Sequence, residues 1–67
     1  MNITIHLNGQ DVRHEACTLA ELVAARGLAS SSLVIEHNGR IIPQEDWPKV
    51  RLRPDDVLEM LNFVGGG

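Results

Sequence analysis

Few of the residues that build disulfides, aromatic pockets or basic surfaces occur in this chain of 67 residues. Cys17 is the only cysteine, which excludes an internal disulfide, and there are one tryptophan, one phenylalanine and no tyrosine. The core must therefore consist mainly of Leu, Ile, Val and Ala. Only six Lys and Arg residues are present, they are scattered, and the formal net charge is −3. Nucleic acids and anionic membranes both attract clustered positive charge, so the composition argues against either as a partner.

The sequence also lacks a signal peptide at Met1 and any apolar run long enough to cross a membrane. Together with the single cysteine, these absences predict a cytoplasmic protein. The length predicts one domain, near the lower limit at which a hydrophobic core stabilises a fold without disulfides or a metal. Hydrophobic residues make up 43% of the chain, which is enough for such a core but not for a large apolar pocket as well.

The amino-terminal part of the chain predicts a β-hairpin. Residues 1–7 alternate between apolar and polar side chains, which is the period of a strand with one buried face. Asn8-Gly9 follows at once and favours a two-residue turn, because both residues tolerate positive φ. Residues 10–15 are therefore predicted to return as an antiparallel strand.

A helix is predicted next, over residues 19–26. Thr18 and Glu21 have the Thr-x-x-Glu spacing of a capping box, in which two side chains satisfy backbone N–H groups at the start of a helix. Gly27 predicts the end of the helix, because glycine readily adopts the left-handed conformation that terminates helices.

The second half of the chain predicts three further strands. Pro43 lacks the N–H group that a central strand needs, so it predicts an edge position or an exit for the strand before it. Trp47 and Val50 are expected to pack against the core. The predicted strands cover residues 33–37, 40–42 and 57–64, the predicted loops and turns cover residues 29–32, 38–39 and 54–56, and residues 44–53 are predicted to be irregular.

This order of elements predicts an α+β fold. So short a chain cannot cover both faces of a sheet, so one main helix must pack across one face. We predict a β-grasp, or ubiquitin-like, fold with a mixed sheet of about five strands. By analogy with that fold, the first and last strands are expected to lie side by side in parallel at the centre. The predicted domain covers residues 1–64 and a flexible glycine tail covers residues 65–67.

The three terminal glycines, Gly65, Gly66 and Gly67, follow directly on a hydrophobic run. A run of glycines packs against nothing and has a large ordering entropy, so domain stability does not explain it. At about 3.3 to 3.6 Å per extended residue, three glycines carry the terminal carboxylate roughly 10 Å beyond the last packed side chain. The tail is therefore predicted to be the working part of the protein, with a frayed end or an engineering remnant as the alternative.

The strand before the tail carries a predicted docking surface. If Leu58 and Met60 face the helix, alternation places Glu59, Leu61 and Phe63 on the opposite face. Leu61 and Phe63 would then form an exposed apolar pair beside the tail, which predicts a contact with a partner protein. The alternative is that Phe63 folds against its own domain.

Other reactive side chains are predicted to have structural roles. Cys17 precedes the helix, where the backbone dipole slightly favours a thiolate, but a small hydrophobe is the preferred interpretation. The three histidines, His6, His14 and His37, have no ligand spacing with one another or with Cys17, so no metal site is predicted. The acidic residues are interpreted as turn formers and solubilising charges that a basic partner surface would match: Glu45, Asp46, Asp55 and Asp56.

Several stretches of this sequence occur together in one known family. They are the opening Ile3-x-Ile5-x-Leu7-Asn8-Gly9, residues 34–43, Glu45-Asp46-Trp47, and Asp55-Asp56-Val57 leading to the terminal glycines. With the length and the order of elements, they resemble the sulfur-carrier proteins of thiamine biosynthesis, the ThiS family. The resemblance covers nearly the whole chain. Gly66 and Gly67 match the glycine pair that ends these proteins, and Gly65 is an additional glycine.

The resemblance implies a chemical role for Gly67. Its α-carboxyl group is ionised at neutral pH, and a carboxylate is a poor electrophile. By this resemblance, a ThiF-like adenylyltransferase would use MgATP to form an acyl-adenylate at Gly67. Sulfur from a persulfide donor would then yield a thiocarboxylate. Thiazole synthase, ThiG, would receive that sulfur. The carrier itself is expected to bind no cofactor or metal and to have no catalytic residue of its own.

Two alternatives stay open from the sequence. The small subunit of molybdopterin synthase, which serves the molybdenum cofactor, shares the fold, the glycine end and the thiocarboxylate, although such chains tend to be longer. A ubiquitin-like protein modifier, or a non-catalytic interaction module, would instead join its end to a lysine or perform no chemistry.

Overall fold

Residues 1–63 are described by a computed structural model, and they form the predicted five-stranded mixed sheet with one α-helix. The strand order is β2-β1-β5-β3-β4. Two short 3-10 helices, Ser30–Ser32 and Gln44–Lys49, lie in the connections. The main elements are β1 (Asn2–Leu7), β2 (Gln10–Glu15), α1 (Leu19–Ala25), β3 (Leu33–His37), β4 (Arg40–Ile42) and β5 (Val57–Asn62).

The first and last strands lie side by side at the centre of the sheet. β1 and β5 run parallel, which confirms the arrangement expected by analogy. The other neighbouring pairs are antiparallel. β5 therefore has a hydrogen-bonded neighbour on each side, whereas β4 lies at an edge, as Pro43 predicted.

The hydrophobic core lies between the sheet and α1. Along β1 and β5, every second side chain points to this core, because successive side chains of a strand point to opposite faces. The core is built mainly from Leu and Ile. The predicted contribution of alanine is limited to Ala16 and Ala20, which are partly buried against this core. Its buried side chains are Ile3, Ile5, Leu7, Cys17, Leu19, Leu22, Val23, Leu33, Ile35, Trp47, Leu52, Leu58 and Met60.

The predicted capping box is present at the start of α1. The Glu21 N–H donates to Thr18 Oγ1 at 3.1 Å, and the Thr18 N–H donates to Glu21 Oε1 at 2.9 Å. The second bond stabilises the carboxylate, so the pKa of Glu21 is lowered. The helix ends at Ala25, with Arg26 as its C-cap, one residue earlier than predicted. Gly27 follows with a φ of 67°, as expected for a helix stop.

The segment predicted to be irregular contains a 3-10 helix, Gln44–Lys49, so that prediction was wrong for these residues. A 3-10 helix of this length, interrupted by Pro48, has no 3.6-residue apolar period from which to recognise it. The prediction for Trp47 is confirmed, because its indole is buried and Nε1 donates to Ile42 O at 3.0 Å. Val50 is half-buried against the same core.

The bounds of β2, β3 and β4 agree with those predicted. β1 begins one residue later than predicted, at Asn2. β5 ends at Asn62, so the prediction that the strand includes Phe63 was wrong. The reason is that β3 begins at Leu33, the partner of Asn62, and offers no strand residue opposite Phe63. The predicted last residue of that strand, Val64, lies outside the described residues. The predicted loop over residues 29–32 includes the 3-10 helix Ser30–Ser32, whose short hydrogen-bonded turn leaves no apolar pattern in the sequence.

Candidate functional site

The candidate site is β5 and the end at which it leaves the sheet. Leu58 and Met60 face α1 and are buried, whereas Leu61 is 62% exposed and Phe63 is 58% exposed. Neither of these two large apolar side chains packs into the core. Alternation along β5 therefore leaves Leu61 on the solvent face, and Phe63 is exposed just beyond the end of the strand. The role of both residues in docking a partner stays a prediction.

A side chain as well as backbone joins β5 to the end of β1. Asn8 Nδ2 donates to Met60 O at 3.2 Å, and the Met60 N–H donates to Asn8 Oδ1 at 2.7 Å. The primary amide of Asn8 thus takes the place of a peptide unit, because it offers one donor and one acceptor in the same plane. A φ of 50° at Asn8 agrees with its predicted turn, but turn propensity did not reveal this second role.

The second Asn-Gly turn holds the beginning of β5. The Asn38 N–H donates to Val57 O at 2.8 Å, and the Val57 N–H donates to Asn38 Oδ1 at 2.8 Å. Asn38 Nδ2 also donates to Asp56 Oδ1 at 3.1 Å. Two turn asparagines, one from each hairpin, therefore hold the central strand from opposite sides.

Asp56 is a buried carboxylate and not the solubilising charge that was predicted, since only 7% of the residue is exposed. Its Oδ2 accepts hydrogen bonds from His37 Nε2 at 2.8 Å and from the Arg53 N–H at 2.9 Å. Burial acts to raise the pKa of Asp56, but the hydrogen bonds from His37, Arg53 and Asn38 outweigh it and lower that pKa. The charge is therefore part of the structure at the base of β5.

The other acidic residues that were singled out lie in turns or on the surface. Asp55 has a φ of 68° and donates its N–H to Thr4 O at 2.7 Å, which confirms the predicted turn. Glu45 and Asp46 lie in the first turn of the second 3-10 helix, and Asp46 Oδ1 lies 3.6 Å from Lys49 Nζ. These contacts agree with the predicted roles as turn formers and surface charges.

The end of β5 is held by the connection that precedes β3. The Phe63 N–H donates to Ser32 O at 2.7 Å, and Ser32 Oγ donates to Asn62 Oδ1 at 2.8 Å. The backbone is therefore hydrogen-bonded as far as Phe63, the last described residue. The predicted boundary between the domain and its tail lies outside the described residues, as do the predicted site residues Gly65, Gly66 and Gly67.

Cys17 is buried beside the start of α1, as expected for a small hydrophobe. Burial, followed by the charge of Glu21, raises the pKa of its thiol, so these effects outweigh any slight stabilisation of the thiolate by the helix dipole. His14 Nδ1 lies 3.6 Å from Cys17 Sγ, but it also lies 2.8 Å from Glu15 O. Because a carbonyl oxygen only accepts hydrogen bonds, Nδ1 carries a proton and cannot remove one from the thiol.

The other two histidines are bound to separate carboxylates. His6 Nδ1 lies 2.6 Å from Asp11 Oδ1, and this hydrogen bond is the main cause of a raised pKa of His6. His37 Nε2 lies 2.8 Å from Asp56 Oδ2. Among residues 1–63, no group of three or more His, Cys, Asp and Glu side chains is arranged to hold a metal ion. Within the same residues, no helix has the length and apolar character needed to cross a bilayer.

Known proteins resemble this chain over almost all of its length. The model of the ThiS family matches residues 4–67. The sulfur carrier protein ThiS of Bacillus subtilis is 37% identical over 65 residues, which cover 94% of this chain and 98% of that protein. A thiazole synthase of Magnetococcus marinus is 36% identical over 64 residues, which cover 94% of this chain and 20% of that enzyme.

A solved structure agrees with these sequence matches. The crystal structure of a thiamine biosynthesis protein, ThiS, from Geobacter metallireducens matches with a TM-score of 0.82 and 26% sequence identity. The match covers 97% of this chain and 100% of that chain. The predicted β-grasp fold is thereby confirmed. Because the family model and a relative of the same length both match nearly all of it, the chain belongs to the ThiS family.

Proposed function

We propose that this protein is a sulfur carrier of thiamine biosynthesis and that its reactive group is the α-carboxylate of Gly67. The observation that carries the proposal is the extent of the family match, which continues through the glycines to residue 67. The Bacillus subtilis sulfur carrier matches over nearly its whole length as well. The structure supports the proposal because the central strand that leads to the glycines is hydrogen-bonded as far as Phe63.

The proposed reaction begins with activation of an ionised carboxylate. A ThiF-like adenylyltransferase binds MgATP, a carboxylate oxygen of Gly67 attacks the α-phosphate, and pyrophosphate leaves. The terminal sulfur of a persulfide donor then attacks the carbonyl carbon and displaces AMP, which carries the oxygen away and leaves an acyl disulfide. A thiol reductant cleaves the S–S bond, so that the thiocarboxylate is released and the reducing thiol ends in a disulfide with the donor. Thiazole synthase, ThiG, takes the sulfur from that group to build the thiazole ring.

The described residues support a carrier and not a catalyst. Cys17 is buried with a raised thiol pKa, and its nearest histidine cannot accept its proton through Nδ1. Asp56 is buried and already accepts three hydrogen bonds. In this proposal the partner enzymes supply catalysis and bind MgATP. Glycine suits the reacting end, because it has no Cβ to block approach to the carbonyl carbon.

The proposed docking site for these enzymes includes Leu61 on the solvent face of β5 and the exposed Phe63 just beyond the strand. Large exposed apolar side chains that lie together are typical of interaction sites. Both residues lie within four positions of Gly65, so an enzyme bound to them would have the glycines close to its active site. Thiazole synthase is supported as one partner by the Magnetococcus enzyme, part of which resembles this chain.

The intact mass of the protein tests the proposed chemistry. After incubation with MgATP, the ThiF-like enzyme, a persulfide donor and a thiol reductant, we expect one oxygen to be replaced by one sulfur at the C-terminus. A variant without Gly66 and Gly67 is the matched control and should keep its original mass and its melting temperature. Sulfur incorporation by this truncated variant at the normal rate would contradict the proposal, as would an unchanged mass of the full chain.

The substitution Leu61→Asp tests the docking site. We expect binding to thiazole synthase to weaken by about tenfold or more, because a charge replaces an apolar contact at the centre of the interface. The melting temperature should change little, because Leu61 is already exposed in the free protein. Gln44→Asp, which adds the same charge on the helix side, is the control. A large loss of stability in Leu61→Asp would show that this side chain supports the fold instead.

A further inference from the structure

The solvent face of the sheet contains a cleft formed by three strands. Its volume of about 260 Å³ lies below the roughly 300 to 1,000 Å³ of small-molecule sites, so it suits a single protein side chain better than a free ligand. The residues that line it are Val34 and Glu36 from β3, Ile41 from β4, and Glu59 and Leu61 from β5. We name it the acidic cleft.

The strand register brings the two glutamates of the acidic cleft together. In the pairing of β3 with β5, Val34 lies opposite Leu61 and Glu36 lies opposite Glu59. Directly opposite Cβ atoms are about 4.5 to 5.5 Å apart, and like charges at that separation destabilise a sheet. None of the salt bridges within residues 1–63 includes either glutamate. The free protein therefore carries a like-charge pair that no described cation neutralises.

The apolar residues around this pair indicate what kind of side chain would fit. Ile41 lies opposite Glu36 in β4 and is 64% exposed, and Leu61 borders the same cleft. An arginine or lysine has an apolar stem that packs on such residues and a cationic head that binds carboxylates. Arginine fits best, because its planar guanidinium can donate to both carboxylates at once.

We propose that the acidic cleft binds an arginine or lysine side chain of thiazole synthase, and that this contact selects the enzyme by charge. The inference rests on the proposed function, which makes thiazole synthase a partner that docks beside Leu61. A region like this chain within the Magnetococcus enzyme favours thiazole synthase over other proteins as the occupant. A bound cation would also relieve the repulsion between Glu36 and Glu59, so the pair opposes stability in the free protein and favours the complex.

In this proposal, replacing Glu59 should change the melting temperature and the affinity for the enzyme in opposite senses of benefit: the free protein gains stability and the complex loses it. Glu59→Gln removes the repulsion from the free protein, so its melting temperature should rise slightly. The same substitution removes half the charge of the acidic cleft, so affinity for the enzyme should fall. If Glu59 only supported the fold, its replacement would lower the melting temperature and would leave the salt dependence of binding unchanged.

The test measures the dissociation constant of the full-length protein for thiazole synthase by titration calorimetry at low and moderate salt. We expect Glu59→Gln to weaken binding by about threefold to tenfold and Glu59→Lys by more than about tenfold, with the larger losses at low salt. Glu45→Gln is the matched control, because it makes the same charge change at an exposed position of the second 3-10 helix. It should bind like the wild type.

Three outcomes would overturn the inference. The first is unchanged affinity of Glu59→Gln at both salt concentrations, and the second is a lower melting temperature of that variant. In the first case, if Leu61→Asp still weakens binding, the docking face stands and only the charge selection fails. The third is a wild-type protein that accepts sulfur in the mass assay but does not bind thiazole synthase, which would leave the carrier function intact.

Discussion

The two faces of β5 differ in their exposure to solvent. On the inner face, Leu58 is fully buried and Met60 packs beside it, whereas Glu59 and Leu61 on the outer face are exposed. Neighbouring residues differ in this way because side chains alternate along a strand. The inner face stabilises the domain, and the outer face leaves apolar and acidic groups that a partner can cover. Fold and proposed docking are thus separable by substitutions one to three residues apart.

The largest effect is expected from truncating the inner face. Leu58→Ala should lower the free energy of unfolding by about 2 to 5 kcal/mol, because it leaves a cavity at the centre of the core. Leu61→Ala makes a matched deletion on the outer face and should cost no more than about 0.5 kcal/mol. Urea unfolding of both variants measures the difference. Equal losses would mean that the two faces do not divide these roles.

The buried carboxylate of Asp56, at the base of β5, makes the stability of the protein depend on pH. The pKa of Asp56 in the folded protein is lower than its ordinary value of 3.8, so the carboxylate stabilises the fold above that pH. This contribution is lost as the pH falls through the lowered pKa. Asp56→Asn should therefore cost about 1 to 3 kcal/mol at neutral pH and progressively less in strong acid.

Unfolding of Asp56→Asn at several pH values measures this effect. Asp55→Asn is the natural control, because Asp55 is the exposed neighbour and asparagine tolerates its positive φ. A loss of stability in Asp56→Asn that is the same at neutral and acid pH would contradict the assigned role of the charge. It would point instead to altered hydrogen-bond geometry.

A smaller effect is expected from the two hydrogen bonds between the Asn8 side chain and the backbone of Met60 in β5. Asn8→Gly keeps the positive φ of the turn but removes two hydrogen bonds to Met60, so we expect a loss of about 1 to 2 kcal/mol. Asn8→Asp keeps the acceptor and loses the donor, so its stability should be intermediate. Chemical denaturation measures both variants. Wild-type stability in Asn8→Gly would show that the backbone pairing with β1 and β3 is sufficient.

Local patterns in the sequence predicted most elements of the fold. The alternation of β1, the capping box at Thr18 and the two Asn-Gly turns all act within a few residues, so each can be recognised without knowledge of the rest. The 3-10 helix Gln44–Lys49 was missed, because it is too short and too interrupted to leave a period. The sequence also predicted which face of β5 carries Leu61. Once one residue of a strand is taken as buried, alternation fixes the face of every other residue in that strand.

The contacts that hold the candidate site could not be predicted in the same way. Asp56 looked like a turn residue because its partner His37 lies 19 positions away, and Asn8 looked like one because Met60 lies 52 positions away. Similarly, Glu36 and Glu59 become neighbours only through the register of β3 with β5. No local pattern encodes such pairs, because the strand order that brings them together depends on the packing of the whole chain.

By itself, the sequence determined the strands, the helix, the turns and the presence of three consecutive glycines at residues 65–67. These features depend on side-chain period, turn chemistry and capping, which operate over short distances along the chain. Only the tertiary structure decided that β5 is central, that two turn asparagines hold it, and that a carboxylate is buried at its base. The physical reason is that hydrogen-bond partners and like-charge neighbours are set by proximity in space, which depends on how the two faces of the sheet are covered.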